Sequence, residues 1–206
     1  MAQRADRTRG APLAAVLDPE IAELIPAQGE WSESDYLWLT GQTNRLVELT
    51  DGRLETLPMP TDEHETIVFR IARLLAEALE RTGGKVLPAG VRIRTRAGRY
   101  RQPDVCALLD AQDARRGNDF WQGADLVVEV VSPDDPRRDR VVKRLEYAQA
   151  GITEYWIVDP VARRVDVLAL AGSEYVEHGA FGRGEVAASR LIEGFGVTVD
   201  LLLDVG

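Results

Sequence analysis

Two acidic residues lie where a carboxylate has chemical consequences. Glu129 interrupts the run ADLVVEVVS, residues 124–132, whose branched apolar residues are typical of a strand buried on both faces. An ionised carboxylate inside such a strand is costly unless it is paired, protonated or bound to a cation. Asp104 follows the proline of QPDV and begins a second apolar run, VCALL. The sequence therefore predicts two acids on neighbouring strands.

These two acids suit a divalent metal ion. Asp104, Glu129 and the backbone carbonyl beside Glu129, at Val130, would supply hard oxygen ligands to Mg²⁺ or Mn²⁺. Such an ion lowers the pKa of a bound water and stabilises the negative charge that develops at a phosphate. The pattern thus predicts a metal site formed by these three residues.

A predicted helix over about residues 137–150, closed by Gly151, follows the central strand. Asp139, Lys143 and Tyr147 are spaced at i, i+4 and i+8, so they share one face that can look into a cleft. Apolar residues form another face: Val141, Val142, Leu145 and Ala148. Lys143 could orient or deprotonate an attacking water, or neutralise charge in the transition state.

A purely structural interpretation fits the same spacing. Glu129 could pair with Lys143 in a buried salt bridge, and Asp104 could cap a turn. The residues alone leave this interpretation and the metal site equally open.

Charge gives a mixed indication about nucleic acid. The net charge of −9 argues against indiscriminate binding to phosphates. Two arginine-rich segments nevertheless flank the acids, and they supply four candidate nucleic-acid contacts: Arg92, Arg94, Arg138 and Arg140. Charge runs are more often solvated faces, so these clusters raise the hypothesis only modestly.

The elements that must position these residues form one predicted domain over residues 13–206, after a disordered arm at 1–12. We predict a helix over 33–40, strands near 45–50 and 53–58 around Asp51-Gly52, and a helix of about four turns from Asp62. Strands near 86–96 and 103–109 precede the central strand, and strands after Ile152 form a meander. Glu48 alternates with apolar neighbours in the first hairpin strand. We expect it to be solvated, with a cleft-facing position as the alternative.

Composition indicates a soluble cytoplasmic protein. No apolar run approaches the roughly 20 residues that a membrane helix needs, and the N-terminal segment does not have the pattern of a signal peptide. Cys106 is the only cysteine, so no intramolecular disulfide can form, which agrees with a reducing compartment.

The motifs together resemble the Uma2 family of restriction-endonuclease-like proteins, within the PD-(D/E)xK nuclease fold. The resemblance extends from about Trp31 to Leu203. It is carried by ELTDG at 48–52, the histidine His64 that opens a helix, QPDV at 102–105, ADLVVEVVSP at 124–133, the face of Asp139, Lys143 and Tyr147, and GITEYWIVDP at 151–160.

The resemblance implies a fold and a set of roles. The expected fold is α/β, a central mixed sheet flanked by helices, with a β-rich N-terminal extension and a C-terminal hairpin. Asp104 and Glu129 resemble the metal-binding acids of the nuclease motif. The usual lysine two residues after the second acid would fall at Val131, so Lys143 is expected to take its role. Glu48 and His64 match family positions and would support the metal, Tyr147 would contact phosphate, and a homodimer is implied.

Three functions follow as hypotheses. The first is a Mg²⁺-dependent endonuclease that hydrolyses DNA phosphodiester bonds. The second is a catalytically silent nuclease-fold module that binds nucleic acid or a protein partner, suggested by the displaced lysine and the acidic net charge. The third is a metal-dependent hydrolase of small phosphorylated substrates.

Overall fold

A computed structural model describes residues 25–205 of this 206-residue chain. The arm predicted at residues 1–12 lies outside the described residues. Within 25–205, no helix is long and apolar enough to cross a membrane.

The first described elements are a short helix and a tight hairpin. Helix α1 (Glu33–Gly41) begins at Ser32, whose hydroxyl accepts the Asp35 amide while the Asp35 carboxylate accepts the Ser32 amide. Strands β1 (Val47–Thr50) and β2 (Arg53–Thr56) pair as predicted. Their turn has φ of 49° at Asp51 and 76° at Gly52, the positive values that an Asp-Gly hairpin favours.

Helix α2 (Asp62–Glu80) is the long amphipathic helix that the sequence predicts. The Thr61 side chain caps it by accepting the His64 amide. Its apolar stripe, which includes Ile67, Ile71 and Leu75, is fully buried against the central sheet. The start of α2 therefore lies at a fixed position beside the strands.

The central sheet has six strands in the order β10-β9-β8-β7-β6-β3. They are β3 (Lys85–Pro88), β6 (Val105–Leu108), β7 (Leu126–Val130), β8 (Glu154–Asp159), β9 (Arg164–Ala171) and β10 (Glu174–Phe181). Strands β7 and β8 are parallel, and the other neighbouring pairs are antiparallel. The sheet is thus mixed and flanked by helices, which confirms the predicted fold class.

A second sheet packs beside the first in the order β2-β1-β5-β4, with β4 (Ile93–Arg96) and β5 (Arg99–Arg101). The prediction of a single strand over 86–96 is wrong, because this segment forms two strands, β3 and β4, that belong to different sheets. Pro88 cannot continue a ladder as a donor, and Gly90 adopts a φ of 100°, so the chain turns between the sheets. Near the C-terminus, β11 (Val186–Ala188) pairs with β12 (Gly196–Thr198), and helix α4 (Val199–Leu203) follows.

The chain after β7 forms a π-helical segment (Arg138–Lys143) that continues as helix α3 (Arg144–Gln149). Its polar face is the buried one: Asp139, Lys143 and Tyr147 face inward. The apolar face lies toward solvent, with Val141 52% and Leu145 56% exposed. The structure therefore places Asp139 and Lys143 in the interior, where Lys143 meets Glu129 of the central strand.

Candidate active site

A cavity of about 350 Å³ lies where the ends of β6 and β7 meet the start of α2 and the π-helical segment. Its lining contains the residues singled out in the sequence, namely His64, Asp104, Glu129, Val130, Asp139 and Lys143. The loop 57–61 and the turn at Pro160 and Val161 complete its wall. The tertiary structure thus brings the predicted acids and the predicted lysine to one cleft.

Asp104 joins the two central strands. Its Oδ2 accepts the backbone amide of Val130 at 2.7 Å, and His64 Nε2 lies 3.3 Å from the same oxygen. These contacts reach a neighbouring strand and helix rather than a local turn. Within residues 25–205, Oδ1 of Asp104 accepts no hydrogen bond, so that oxygen is available to another partner.

Glu129 lies on the face of β7 opposite to α2. Side chains alternate along a strand, so Val128 and Val130 pack in the core beneath α2, whereas Glu129 faces the helical segment after the strand. Its Oε2 lies 2.8 Å from Lys143 Nζ, and its Oε1 accepts the Tyr147 hydroxyl at 2.5 Å. The salt bridge foreseen by the structural interpretation therefore exists, and it lies inside the cleft.

Lys143 serves two acids at once. Its Nζ also lies 3.1 Å from Asp139 Oδ1, one turn earlier in the helix. Burial lowers the pKa of Lys143, but Glu129 and Asp139 outweigh burial and hold that pKa above its ordinary value. At neutral pH this ammonium is therefore a fixed positive charge and hydrogen-bond donor.

The acids around Lys143 carry more negative charge than it compensates. Burial raises the pKa of Glu129 to about 8, and Asp104 and Asp139 add to the shift despite the opposing Lys143. Burial likewise raises the pKa of Asp139. This part of the cleft therefore favours a further positive charge, whether a proton or a metal ion.

Glu48 contradicts the expectation of a solvated side chain, because it is 0% exposed. Side chains of the π-helical segment and of β5 cover the face of β1 that carries Glu48, because they reach its carboxylate. Arg101 Nη1 lies 2.9 Å from Glu48 Oε2, and the Gln102 amide donates to Oε1 at 2.9 Å. Arg138 Nη2 also contacts Oε2. Glu48 thus fixes the segment just before Asp104.

The sequence did not single out two further members of this network, Glu146 and Gln102. Glu146 binds Arg101 through both carboxylate oxygens, at 2.6 and 2.9 Å. Gln102 Oε1 is buried in the cleft lining without a hydrogen-bond partner among residues 25–205. The position of Gln102, two residues before Asp104, was the available sequence signal, whereas nothing in the spacing pairs Glu146 with Arg101.

The four arginines predicted as nucleic-acid contacts all have partners within the chain. Arg92 donates to the carbonyls of Asp119 and Thr40, and Arg94 pairs with Glu33 at 2.9 Å. The other two arginines tie the π-helical segment to its surroundings: Arg138 contacts Glu48 and Glu55, and Arg140 contacts Asp159 and Asp166. Arg138 alone of the four lines the cavity. Their role in nucleic-acid binding stays a prediction.

His64 lies at the first turn of α2, between Asp104 and the cavity. Burial lowers the pKa of His64, but the hydrogen bond and charge of Asp104 outweigh burial and raise that pKa overall. Its Nδ1 is buried without a hydrogen-bond partner in the described part of the chain, although Glu65 Oε1 lies 3.7 Å away. His64 therefore contacts the same Asp104 oxygen that joins the two strands.

No group of three or more His, Cys, Asp or Glu side chains in residues 25–205 is arranged to hold a metal ion. Mg²⁺ does not need such a group, because it commonly takes one or two carboxylates and completes its shell with water and phosphate oxygens. The unpartnered Oε1 of Gln102, the carboxylate of Asp104 in the lining, and the raised pKa values of Glu129 and Asp139, which favour a further cation, fit that requirement.

Comparison with known proteins agrees with this geometry. The family model described as "Putative restriction endonuclease", Uma2, matches residues 33–201, so the chain belongs to the Uma2 family. A crystal structure from Anabaena variabilis, described as that of "a putative nuclease belonging to DUF820", is similar with a TM-score of 0.65 and 17% sequence identity. That similarity covers 79% of this chain and 92% of the other. No curated protein sequence matches.

Proposed function

We propose that this protein is a metal-dependent endonuclease that hydrolyses DNA phosphodiester bonds. One observation supports this proposal most directly: the structure holds the two acids next to each other. The Asp104 carboxylate accepts the Val130 amide at 2.7 Å, and Val130 follows Glu129, which pairs with Lys143. Membership of the Uma2 family supports the same reaction class.

Asp104, Glu129 and the Val130 carbonyl would hold the metal ion, with Gln102 Oε1 as a further oxygen in the lining. Mg²⁺ or Mn²⁺ supplies Lewis acidity there, which lowers the pKa of a water and stabilises charge on a phosphate. Hydrolysis forms a bond from water oxygen to phosphorus and breaks one phosphorus–oxygen ester bond.

The protein's own residues supply charge and position. Lys143 keeps its proton, so it stabilises negative charge at the phosphate rather than acting as a base. Tyr147 is fully buried and bonded to Glu129, which makes it a positioning residue for that carboxylate and replaces the direct phosphate contact expected from the resemblance. His64 and Glu48 position Asp104 and the segment before it.

Circular DNA tests this function without requiring a known recognition sequence. Supercoiled plasmid and circular single-stranded DNA are incubated with the wild-type protein and Mg²⁺ or Mn²⁺, because only an endonuclease converts a circle to open or linear forms. We expect conversion by the wild type and its loss in Glu129→Gln and Lys143→Met. Phe69→Ala, at an exposed residue outside the cavity lining, is the matched control. Equal conversion by wild type and Glu129→Gln would disprove the proposal.

A catalytically silent module is the second candidate, and one observation favours it. Both oxygens of Glu129 already have partners, Lys143 and Tyr147, so a metal must share or displace one of them. A silent module would bind a partner but leave both DNA circles intact at every metal concentration. Cleavage that is lost in Lys143→Met would eliminate this candidate.

We further propose a cytoplasmic homodimer, as the family resemblance implies. The lone cysteine, Cys106, is buried in β6, which suits a reducing compartment. The exposed face of Val141, Val142 and Leu145 is the surface on which we place the dimer contact. Light scattering should give twice the chain mass for the wild type and the chain mass for Leu145→Glu. A monomeric wild type at micromolar concentration would refute the dimer.

A further inference from the structure

The wall of the cleft bears two large apolar side chains that project into solvent. Met59, in the loop between β2 and α2, is 90% exposed, and Val161, in the turn between β8 and β9, is 76% exposed. Both line the cavity that contains Asp104 and Glu129. Exposed apolar residues scattered singly need no explanation, but these two share the mouth of one site.

The backbone holds Met59 in a restricted position. Pro58 and Pro60 flank it, each with φ fixed near −65°, and a residue before proline is confined to extended conformations. Thr61 then caps α2, which fixes the end of the loop. The backbone that presents Met59 to solvent is thus stiff, so ligand binding costs little backbone ordering here.

Val161 is held in a similar way. It follows Pro160 at the end of β8, and the Asp159 carboxylate accepts the amide of Ala162 at 2.8 Å across the turn. Asp159 also pairs with Arg140 of the π-helical segment. The turn that carries Val161 is therefore tied to the element that carries Lys143.

The charge of the cleft disfavours a duplex. Six carboxylates line it: Glu63, Glu65, Asp104, Glu129, Asp134 and Asp139. The arginine and lysine in the same lining, Arg138 and Lys143, are both bound to acids of the chain. Duplex DNA carries one charge per about 1.7 Å of helix axis, and proteins bind it by neutralising many phosphates. This lining offers no row of free cations for that purpose.

We propose that the cleft takes an unpaired DNA strand, with Met59 and Val161 contacting its bases while one phosphodiester reaches Asp104 and Glu129. An unpaired strand exposes base faces, and an apolar side chain that covers such a face removes apolar surface from water. A single phosphodiester also brings less charge to an acidic lining than a duplex backbone does. This inference rests on the proposed nuclease function and names its substrate class.

Equilibrium binding and cleavage together test the inference. Fluorescence anisotropy compares a labelled single strand with the duplex of the same sequence, in Ca²⁺ and at one fixed salt concentration. Wild type, Met59→Ala and Val161→Ala are measured beside Phe69→Ala, whose side chain is 67% exposed on α2 outside the cavity lining. Rates on circular single-stranded and relaxed circular duplex DNA are measured with Mn²⁺.

We expect the wild type to bind the single strand at least about tenfold more tightly than the duplex, since covering an exposed apolar side chain contributes on the order of a tenfold gain. Met59→Ala and Val161→Ala should each weaken single-strand binding by about fivefold. Their KM for the single-stranded circle should rise with little change in kcat, because the contacts are remote from the reacting phosphate. Phe69→Ala should behave as wild type.

The outcomes separate this inference from the proposed function. Two results would overturn the inference even if DNA is cut. One is a duplex that binds as tightly as the single strand, and the other is Met59→Ala and Val161→Ala variants that behave like Phe69→Ala. Single-strand binding that is weakened by Met59→Ala and Val161→Ala, without cleavage of either circle, would uphold the inference and refute the nuclease function. Absence of both binding and cleavage would overturn both.

Discussion

Glu48 and Glu129 are both glutamates on buried strands, yet their surroundings shift their pKa values in opposite directions. Burial raises the pKa of Glu48, but Lys143, Arg101 and Arg138 outweigh burial and lower that pKa overall. Burial, together with the charges of Asp104 and Asp139, raises the pKa of Glu129 to about 8, although Lys143 opposes the shift.

The difference separates a structural from a chemical use of a buried carboxylate. Glu48 is surrounded by donors that fix it in the ionised form, and it holds β1, the start of β6 and the π-helical segment together. Glu129 shares one ammonium with Asp139, so its surroundings still favour another cation. The chain therefore balances charge in the network that supports the cleft and leaves negative charge in the cleft itself.

The largest expected effect is on stability at Glu48. Glu48→Ala leaves the buried Arg101 and the partly exposed Arg138 without this partner, and removing one member of a buried pair costs about 3–5 kcal/mol. Chemical denaturation would measure the change in the free energy of unfolding. The control is Glu55→Ala, which removes the exposed partner of Arg138 and should cost less than about 1 kcal/mol. Equal losses in the two variants would contradict the structural role of Glu48.

Glu129→Gln should change DNA cleavage strongly and stability little, in contrast to the large stability effect of Glu48→Ala. The amide keeps the shape of the side chain and Lys143 keeps Asp139, so we expect the free energy of unfolding to change by less than about 1 kcal/mol. DNA cleavage should fall at least about 100-fold, since even outer-sphere changes at metal sites cost up to that factor. A variant that is both stable and active would show that Glu129 is not part of the chemistry.

Metal binding tests the difference between Glu48 and Glu129 without requiring a substrate. Calorimetric titration should detect Mn²⁺ binding to the wild type and its loss in Asp104→Ala and Glu129→Ala. At free Mn²⁺ about 100 times Kd, binding should stabilise the wild type by about 2.7 kcal/mol. Glu48→Gln, if folded, should retain the site. Wild type that binds no Mn²⁺, with or without DNA, would argue for the silent module.

Acid should weaken the Glu48 network over a defined range. The folded pKa of Glu48 is lowered, so its stabilisation is fully present above the unfolded value of about 4.3 and is lost as the pH falls through the folded pKa. Below about pH 4, wild type should lose up to about 1.4 kcal/mol per pH unit more than Glu48→Gln, the effect of one proton. Denaturation at several pH values measures both slopes, and parallel slopes would refute the assignment.

Much of the fold was predictable because its elements carry local signals. Thr61 and the apolar stripe of α2, the Asp51-Gly52 turn and the apolar run of β7 each specify one element by period or by turn chemistry. The split between β3 and β4 was missed because alternation continues through residues 86–96. Sheet membership depends on which neighbouring strand is available, and a local pattern does not contain that information.

Part of the candidate site was predictable because some of its residues also carry local sequence signals. Asp104 and Glu129 stood out because each is an acid beside an apolar run, and a buried charge requires a partner. Glu48 was expected in solvent because the hairpin pattern does not reveal that Arg101 and the π-helical segment cover this face of β1. Glu146 was missed because its partner Arg101 lies on another element, and Gln102 was missed because only the packed structure shows that it lines the cleft.

The sequence alone determined the local elements, the two strand acids and the helical face of Asp139, Lys143 and Tyr147, because periodicity and the cost of buried charge act within short segments. Only the tertiary structure decided which charges meet. It paired Arg94, Arg138 and Arg140 with acids of the chain and Arg92 with backbone carbonyls. It also turned the polar face of the helical segment inward and left Met59 and Val161 exposed at the cleft. Ion pairing depends on distances of a few ångströms between elements far apart in the chain, and those distances exist only once the sheets have packed.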